Sequence, residues 1–262
     1  MKIKPRIAHI VPVAHLEQTR YNSYHMSLAH LAEKNAEYCQ FYHRMHAEGK
    51  FVIMDNGCAE NAQIDVDRLI AVAEQLHPSE VVLPDTLYDG EDTFRKSSAA
   101  IDKFKNQLSF DVQFMAVPQG KTVEQWFESA KQLLTLPINT IGVSKFLPII
   151  TKDPNSRLKA VALLDRYLDQ NNMRHIEIHL LGCDEGPAKM REIFNCSPFT
   201  RGCDSAFAYI ATQAEVAIHE GTLRPKGEID FINGRTDCED LDFAMDQFNE
   251  VAGIRCNTGI WR

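Results

Sequence analysis

No stretch of this sequence approaches the roughly 20 consecutive apolar residues that a membrane-crossing helix needs, and the opening "MKIKPRIAHIVPVAH" is too short and too broken for a secretory leader. No Cys-x-x-Cys pair occurs. The seven cysteines, at positions 39, 58, 183, 196, 203, 238 and 256, are scattered and odd in number, which points to neither a disulfide framework nor a zinc knuckle. Phosphate-cradling signatures are missing as well: there is no G-x-x-x-x-G-K-[ST], and no G-x-G-x-x-G follows a strand-like run. Nor is there an excess of positive charge. The formal net charge of −8 argues against indiscriminate binding to nucleic acid while leaving room for a local basic groove. These absences together lead us to expect a protein of the reducing cytoplasm, with no cofactor and no structural metal.

What is present is ordinary for a globular chain, with 44% hydrophobic and 24% charged residues. At 262 residues it fits one large domain. Seven apolar, strand-like runs stand out: 7–15, 51–57, 80–85, 112–120, 140–145, 176–182 and 200–205. An eighth, "HMSLAH" at 25–30, is short. Between the runs lie stretches such as "VDRLIAVAEQLH" and "VEQWFESAKQLLTL", whose apolar residues recur every three or four positions, as on one face of a helix. Such alternation describes βα units about a parallel sheet. Eight units predict a single α/β domain over 1–262, a (β/α)8 TIM-type barrel, with an open doubly wound sheet as the other arrangement. The turn-rich segment from about 220 to 262 reads as a C-terminal extension carrying one more helix.

The strand-like runs end in a recurrent way: Asp55-Asn56-Gly57, Asp85, Gln119-Gly120, Gly142 to Lys145, Gly182-Cys183-Asp184 and Asp204-Ser205. A single aspartate at such a place is ordinarily a helix N-cap, since its oxygen accepts from the first free N–H groups. Asp55, Asp85 and Asp204, with Gln119 and several glycines, at successive strand ends suggest a site, because barrel enzymes react at the carboxyl ends of their strands. Histidine spacings at 25/30, 43/46 and 175/179 bring pairs within reach of one another, but no carboxylate-rich pattern accompanies them, and His43 and His46 fit the wet face of a helix. His179 alternates with apolar residues and is expected to point inward. Carboxylates without a metal suit displacement at an anomeric carbon, with one as nucleophile and one as acid/base.

The ordered series "IMDNG", "VLPD", "VPQG", "IGVSK", "HLLG" and "GCDSA" resembles the tRNA-guanine transglycosylase superfamily. The segments "YHMSLAHLAEKNAEYCQFYHRM" and "DNGCAE" are closest to its compact, phage-type 7-deazaguanine DNA transglycosylases. The likeness spans roughly residues 7–212. It implies exchange of guanine in DNA for a free 7-deazaguanine base of the preQ0/preQ1 type, in a host-cell cytoplasm where the enzyme is phage-encoded. By motif position, Asp204 would be the nucleophile and Asp55 the general acid/base. Asp85 would read the N1/N2 edge of the purine, with Gln119, Gly120 and the backbone of Gly142 and Val143 reading O6 and its surroundings. Leu181 and Gly182 would wall the pocket, and Lys145 and Arg201 would be cations available to phosphate. Three departures stand out. No Cys-rich zinc site follows the nucleophile strand, Ala59 replaces an aromatic residue after the acid/base, and "SAFAYIATQ" lacks the basic run of the tRNA enzymes. All three favour DNA over tRNA as the partner; an RNA-directed enzyme and a catalytically silent nucleic-acid-binding barrel are the alternatives. Pairing of the chain with a second copy is left open.

Overall fold

The computed structural model describes residues 4–58 and 62–254. Ala59 and Cys256, both singled out from the sequence, lie outside the described residues. Eight strands form one sheet, every paired neighbour parallel: β1 (Arg6–His9), β2 (Tyr24–Leu28), β3 (Phe51–Asp55), β4 (Glu80–Val82), β5 (Gln113–Ala116), β6 (Thr140–Ser144), β7 (Glu177–Leu181) and β8 (Thr200–Ser205). Ladders run β2 to β8 in sequence order and return from β8 to β1. β1 and β2 lie side by side without a ladder, the Arg6 guanidinium resting 4.4 Å from the centre of the Tyr24 ring. The result is a nearly closed (β/α)8 barrel.

The helices form because their apolar residues share one face. Helix Val66–Leu76 buries Leu69, Ile70, Val72, Ala73 and Leu76, and the Asp65 carboxylate accepts from Arg68 N–H at its start. Thr122 caps Val123–Leu133 in the same way, and Trp126 on that helix is fully buried. Two apolar clusters result. The larger one fills the space between sheet and helices; the smaller, with Tyr24, Met26, Ile53, Val82 and Met115, fills the barrel interior. Each fully buried aliphatic side chain contributes about 1.5–3 kcal/mol.

One sequence expectation needs correction in detail, and another, the C-terminal helix, is present as expected. The first strand ends at His9, although the apolar run continues to His15. Pro12 has no N–H for a ladder, and the chain turns into a 3-10 segment at Val13–His15 while Ile10 and Val11 stay buried. The C-terminal helix, Cys238–Ala252, is a part of the barrel's outer layer. It packs on Pro187–Cys196 and Phe207–Gln213, and its Asn249 Oδ1 lies 3.1 Å from His9 Nε2 under the barrel wall.

Candidate active site

All eight strands send a residue to one cavity at their carboxyl ends: Ile10, Leu28, Asp55, Asp85, Gln119, Ser144, Leu181 and Asp204 all line it. It is an open-mouthed cleft that spans about 560 Å³ when the solvent at its mouth is counted. Lys145, Phe146, Asn56, Cys58 and Gly182 complete much of the wall.

None of the three strand-end carboxylates caps a helix. Asp89 caps Gly90–Gln107, leaving Asp85 to the cavity. The turn after β8 is closed by Ser205, whose Oγ accepts from Phe207 N–H, and the following helix has no side-chain cap. Asp55 Oδ2 accepts from Gly57 N–H at 2.9 Å, a local turn bond that fixes the carboxylate at the tip of β3.

Asp85 sits in a cage of neutral donors. Its Oδ1 accepts from Asn56 Nδ2 at 3.0 Å and its Oδ2 from Gln119 Nε2 at 2.6 Å. Both amides are themselves held: Asn56 Nδ2 also donates to Leu83 O and its Oδ1 accepts from Cys58 N–H, while Gln119 Oε1 accepts from Tyr88 N–H. Burial pushes the Asp85 carboxyl above the ordinary aspartate range, against the pull of these donors toward the charged form. Each carboxylate oxygen offers two lone-pair sites, so capacity for further donors from the cavity remains.

Asp204 is anchored through one oxygen. Its Oδ1 accepts from Gly182 N–H at 3.0 Å and lies 3.1 Å from His179 Nε2, while Oδ2 has no protein partner among the described residues. Gly182 can present that N–H because it takes φ +70, and a Cβ there would meet the Lys145 stem at 2.4 Å.

Of the residues that the sequence put forward, Asp55, Asp85, Gln119, Lys145, Leu181, Gly182 and Asp204 meet in this cavity. Four do not. Gly120 faces away, its Cα so close to the start of the next helix that a Cβ would stand 2.5 Å from Trp126 N. Gly142 is covered by Leu181, Met115 and Val117, and lies within the β6–β7 ladder. Val143 is fully buried behind the strand, and its carbonyl accepts from Arg157 Nη2 at 2.9 Å. Arg201, expected to meet phosphate, has no exposed surface: its guanidinium lies inside the barrel, ion-paired to Glu80 and Glu177.

The burial of Arg201 has a local cause. Thr200 stands opposite Ile178 and Gly202 opposite His179, so Arg201 is an extra residue in β8. That bulge turns the strand, and residues 201 and 204 both face inward although strict alternation would put them on opposite faces. Four contributors were not singled out from sequence. Asn56 and Cys58 beside Asp55, and Phe146 beside Lys145, carried the signal of polar or aromatic residues at a strand end. Arg157 carried none: it sits in the first turn of the helix Ser156–Gln170, fully buried and ion-paired to Glu185 at 2.7 Å, and ties the ends of β6 and β7 by donating to Val143 O, Leu181 O and Gly182 O. Among the described residues no group of three or more His, Cys, Asp and Glu side chains is arranged to hold a metal ion.

No protein-family model matches this chain, and no curated protein matches it.

Proposed function

We propose that the protein is a nucleic-acid guanine transglycosylase that replaces guanine in DNA with a 7-deazaguanine base through a covalent Asp204 intermediate. The observation that carries this reading is the convergence of Asp55, Asp85 and Asp204 on one cleft at the barrel mouth, with Asp204 held by one oxygen and open at the other. The order of motifs through the barrel supports it.

In this mechanism Asp204 Oδ2 attacks C1′ of the target guanosine and forms an ester. The C1′–N9 bond breaks, its electron pair goes to the base, and the base takes a proton from Asp55. The entering deazapurine returns a proton to Asp55 from its ring N–H, and that nitrogen attacks C1′. The Asp204 carboxylate leaves, and two displacements restore the original configuration. Asp85 accepts from the N1–H and N2 amine of the purine, while Phe146 supplies an aromatic face at the cavity wall. A guanine in duplex DNA has to leave the stack to reach carboxylates at this depth, at about a few kcal/mol. Lys145, which lines the cavity, and Arg224 both lie beside Asp184, at 3.8 and 3.5 Å, and take the role of phosphate contacts in place of Arg201.

The test is exchange of labelled guanine into duplex DNA, single-stranded DNA and tRNA, run in parallel, with a denaturing gel for the covalent adduct. Incorporation into DNA and an adduct that Asp204→Asn lacks are expected. Incorporation into tRNA alone transfers the reading to the RNA-directed enzyme, and no incorporation anywhere overturns it.

A further inference from the structure

Beneath Asp204 a line of hydrogen bonds runs down the barrel axis and ends on a group that can only donate. Arg201 Nε donates to the Tyr24 hydroxyl at 2.9 Å, and its terminal nitrogens donate to Glu80 and to Glu177. Thr140 Oγ1 donates to Glu80 Oε1 at 2.6 Å. Tyr24 Oη stands 2.8 Å from His179 Nδ1, and His179 Nε2 stands 3.1 Å from Asp204 Oδ1. His179 is fully buried, and the hydrogen-bond partners of both its ring nitrogens belong to this line.

The direction of each bond follows from its end. Guanidinium has donors and no acceptor, so the phenol oxygen of Tyr24 must accept from Arg201. Its second lone pair could accept as well, but the single phenolic hydrogen would then lie buried without a partner, because among the described residues Tyr24 Oη meets only Arg201 and His179; Nδ1 is therefore the acceptor. A neutral imidazole with a bare Nδ1 carries its proton on Nε2, and Nε2–H points at Asp204. Asp204 Oδ1 must therefore accept, which it does best as a carboxylate. Protonating His179 would place an N–H on Nδ1 and leave the phenolic hydrogen of Tyr24 buried without an acceptor.

We propose that His179 is a positioning residue, locked by Tyr24 and Arg201 in its Nε2–H form, that fixes one oxygen of Asp204 and aims the other into the cavity. It takes no proton in the reaction. Its part in catalysis rests on Asp204 being the nucleophile, whereas its tautomer does not. The groups that face it are Asp204 and Arg201 from β8, Tyr24 from β2 and Glu80 from β4. Burial moves its imidazole below the ordinary histidine value, with the Asp204 contact opposing.

Two measurements test this. Long-range ¹H–¹⁵N spectra of the whole protein, with the His179 signals assigned by their loss in His179→Gln, should give the Nε2–H tautomer, unchanged from pH 5 to pH 8. An Nδ1–H tautomer, or a titration midpoint near 6.5, overturns the lock. Tyr24→Phe, which removes only the hydroxyl, should form the adduct with guanine-containing DNA on the order of tenfold more slowly at pH 6. The deficit should shrink toward pH 8, because the freed Nδ1 is then no longer protonated. A merely structural tyrosine would lower the melting temperature and leave the shape of the pH profile alone, so a parallel profile overturns the positioning role. If the unaltered protein forms no adduct with any nucleic acid, the transglycosylase reading falls, and the spectra alone decide the tautomer.

Discussion

The barrel interior holds two layers of acidic residues that are treated in opposite ways. In the lower layer Glu80 is fully buried and meets Arg201, Thr140 completes its shell, and Glu177 joins the same guanidinium. In the upper layer Asp85 and Asp204 are held by amides, a backbone N–H and a histidine whose burial disfavours its charged form. A salt bridge with its remaining lone pairs filled is a closed structure that asks for nothing more. Carboxylates held by neutral dipoles keep both their charge and spare acceptor capacity. The lower layer therefore reads as a plug that closes the barrel, and the upper layer as a site. Burial alone does not separate them, since Asp85 and Asp204 are themselves buried.

The contrast is broken most severely at Asp204. Asp204→Asn retains the size of the side chain and removes its nucleophilic charge, and its adduct rate should fall by about a thousandfold or more. Its thermal unfolding should change little by comparison. A variant that unfolds as easily as one in the lower layer would mean that Asp204 belongs to the plug.

Removing the cation below should do the reverse. Arg201→Met leaves Glu80 charged, buried and without its partner, a loss of about 3–5 kcal/mol. That corresponds to a melting temperature lowered by on the order of 10 °C. Calorimetry of the variant checks it, and a shift of a degree or two would show that water reaches Glu80 and that the plug is open.

The sequence already carried the eight strands, their order and most of the upper layer, because carboxylates and amides at strand ends stand out against apolar runs. It did not carry the lower layer. Glu80 looked like the polar start of "EVVLPD" and Arg201 like a surface cation, since the bulge that brings Arg201 inward leaves no mark on a pattern of alternation. Gly120, Gly142 and Val143 were misplaced for a related reason. A residue near the end of a strand faces the cavity, the helix layer or its own ladder depending on a rotation that one-dimensional spacing does not fix. Arg157 illustrates the remaining gap, a first-turn helical arginine whose partners are the Glu185 carboxylate and carbonyls at the ends of β6 and β7.

A smaller effect separates base reading from chemistry. In Asp85→Asn one acceptor becomes a donor that faces the N1–H or N2 amine, leaving buried groups unpaired at about 1–3 kcal/mol. Exchange of guanine should slow by roughly 5- to 150-fold, and exchange of hypoxanthine, which lacks the N2 amine, by less. Equal losses would assign Asp85 to folding or chemistry and hand base reading to another wall residue.

The smallest effect is one of pH, and its sign is what makes it useful. Burial raises the Asp85 carboxyl above the ordinary value of 3.8, so in the folded protein it gains a proton at a pH where an unfolded chain would still be ionised. Protonation there relieves a desolvated charge, and the Asp85 contribution to stability grows as the pH falls through the raised value. If Asp85 reads guanine as proposed, protonation also removes an acceptor for the base, and affinity for the free base should weaken over the same interval. Stability and affinity thus move in opposite directions on acidification. Guanine titrations and thermal unfolding between pH 4 and pH 7 measure both, with Asp85→Asn as the reference that lacks the transition. If affinity for guanine in the unaltered protein runs parallel to that of the variant across this range, Asp85 does not face the base.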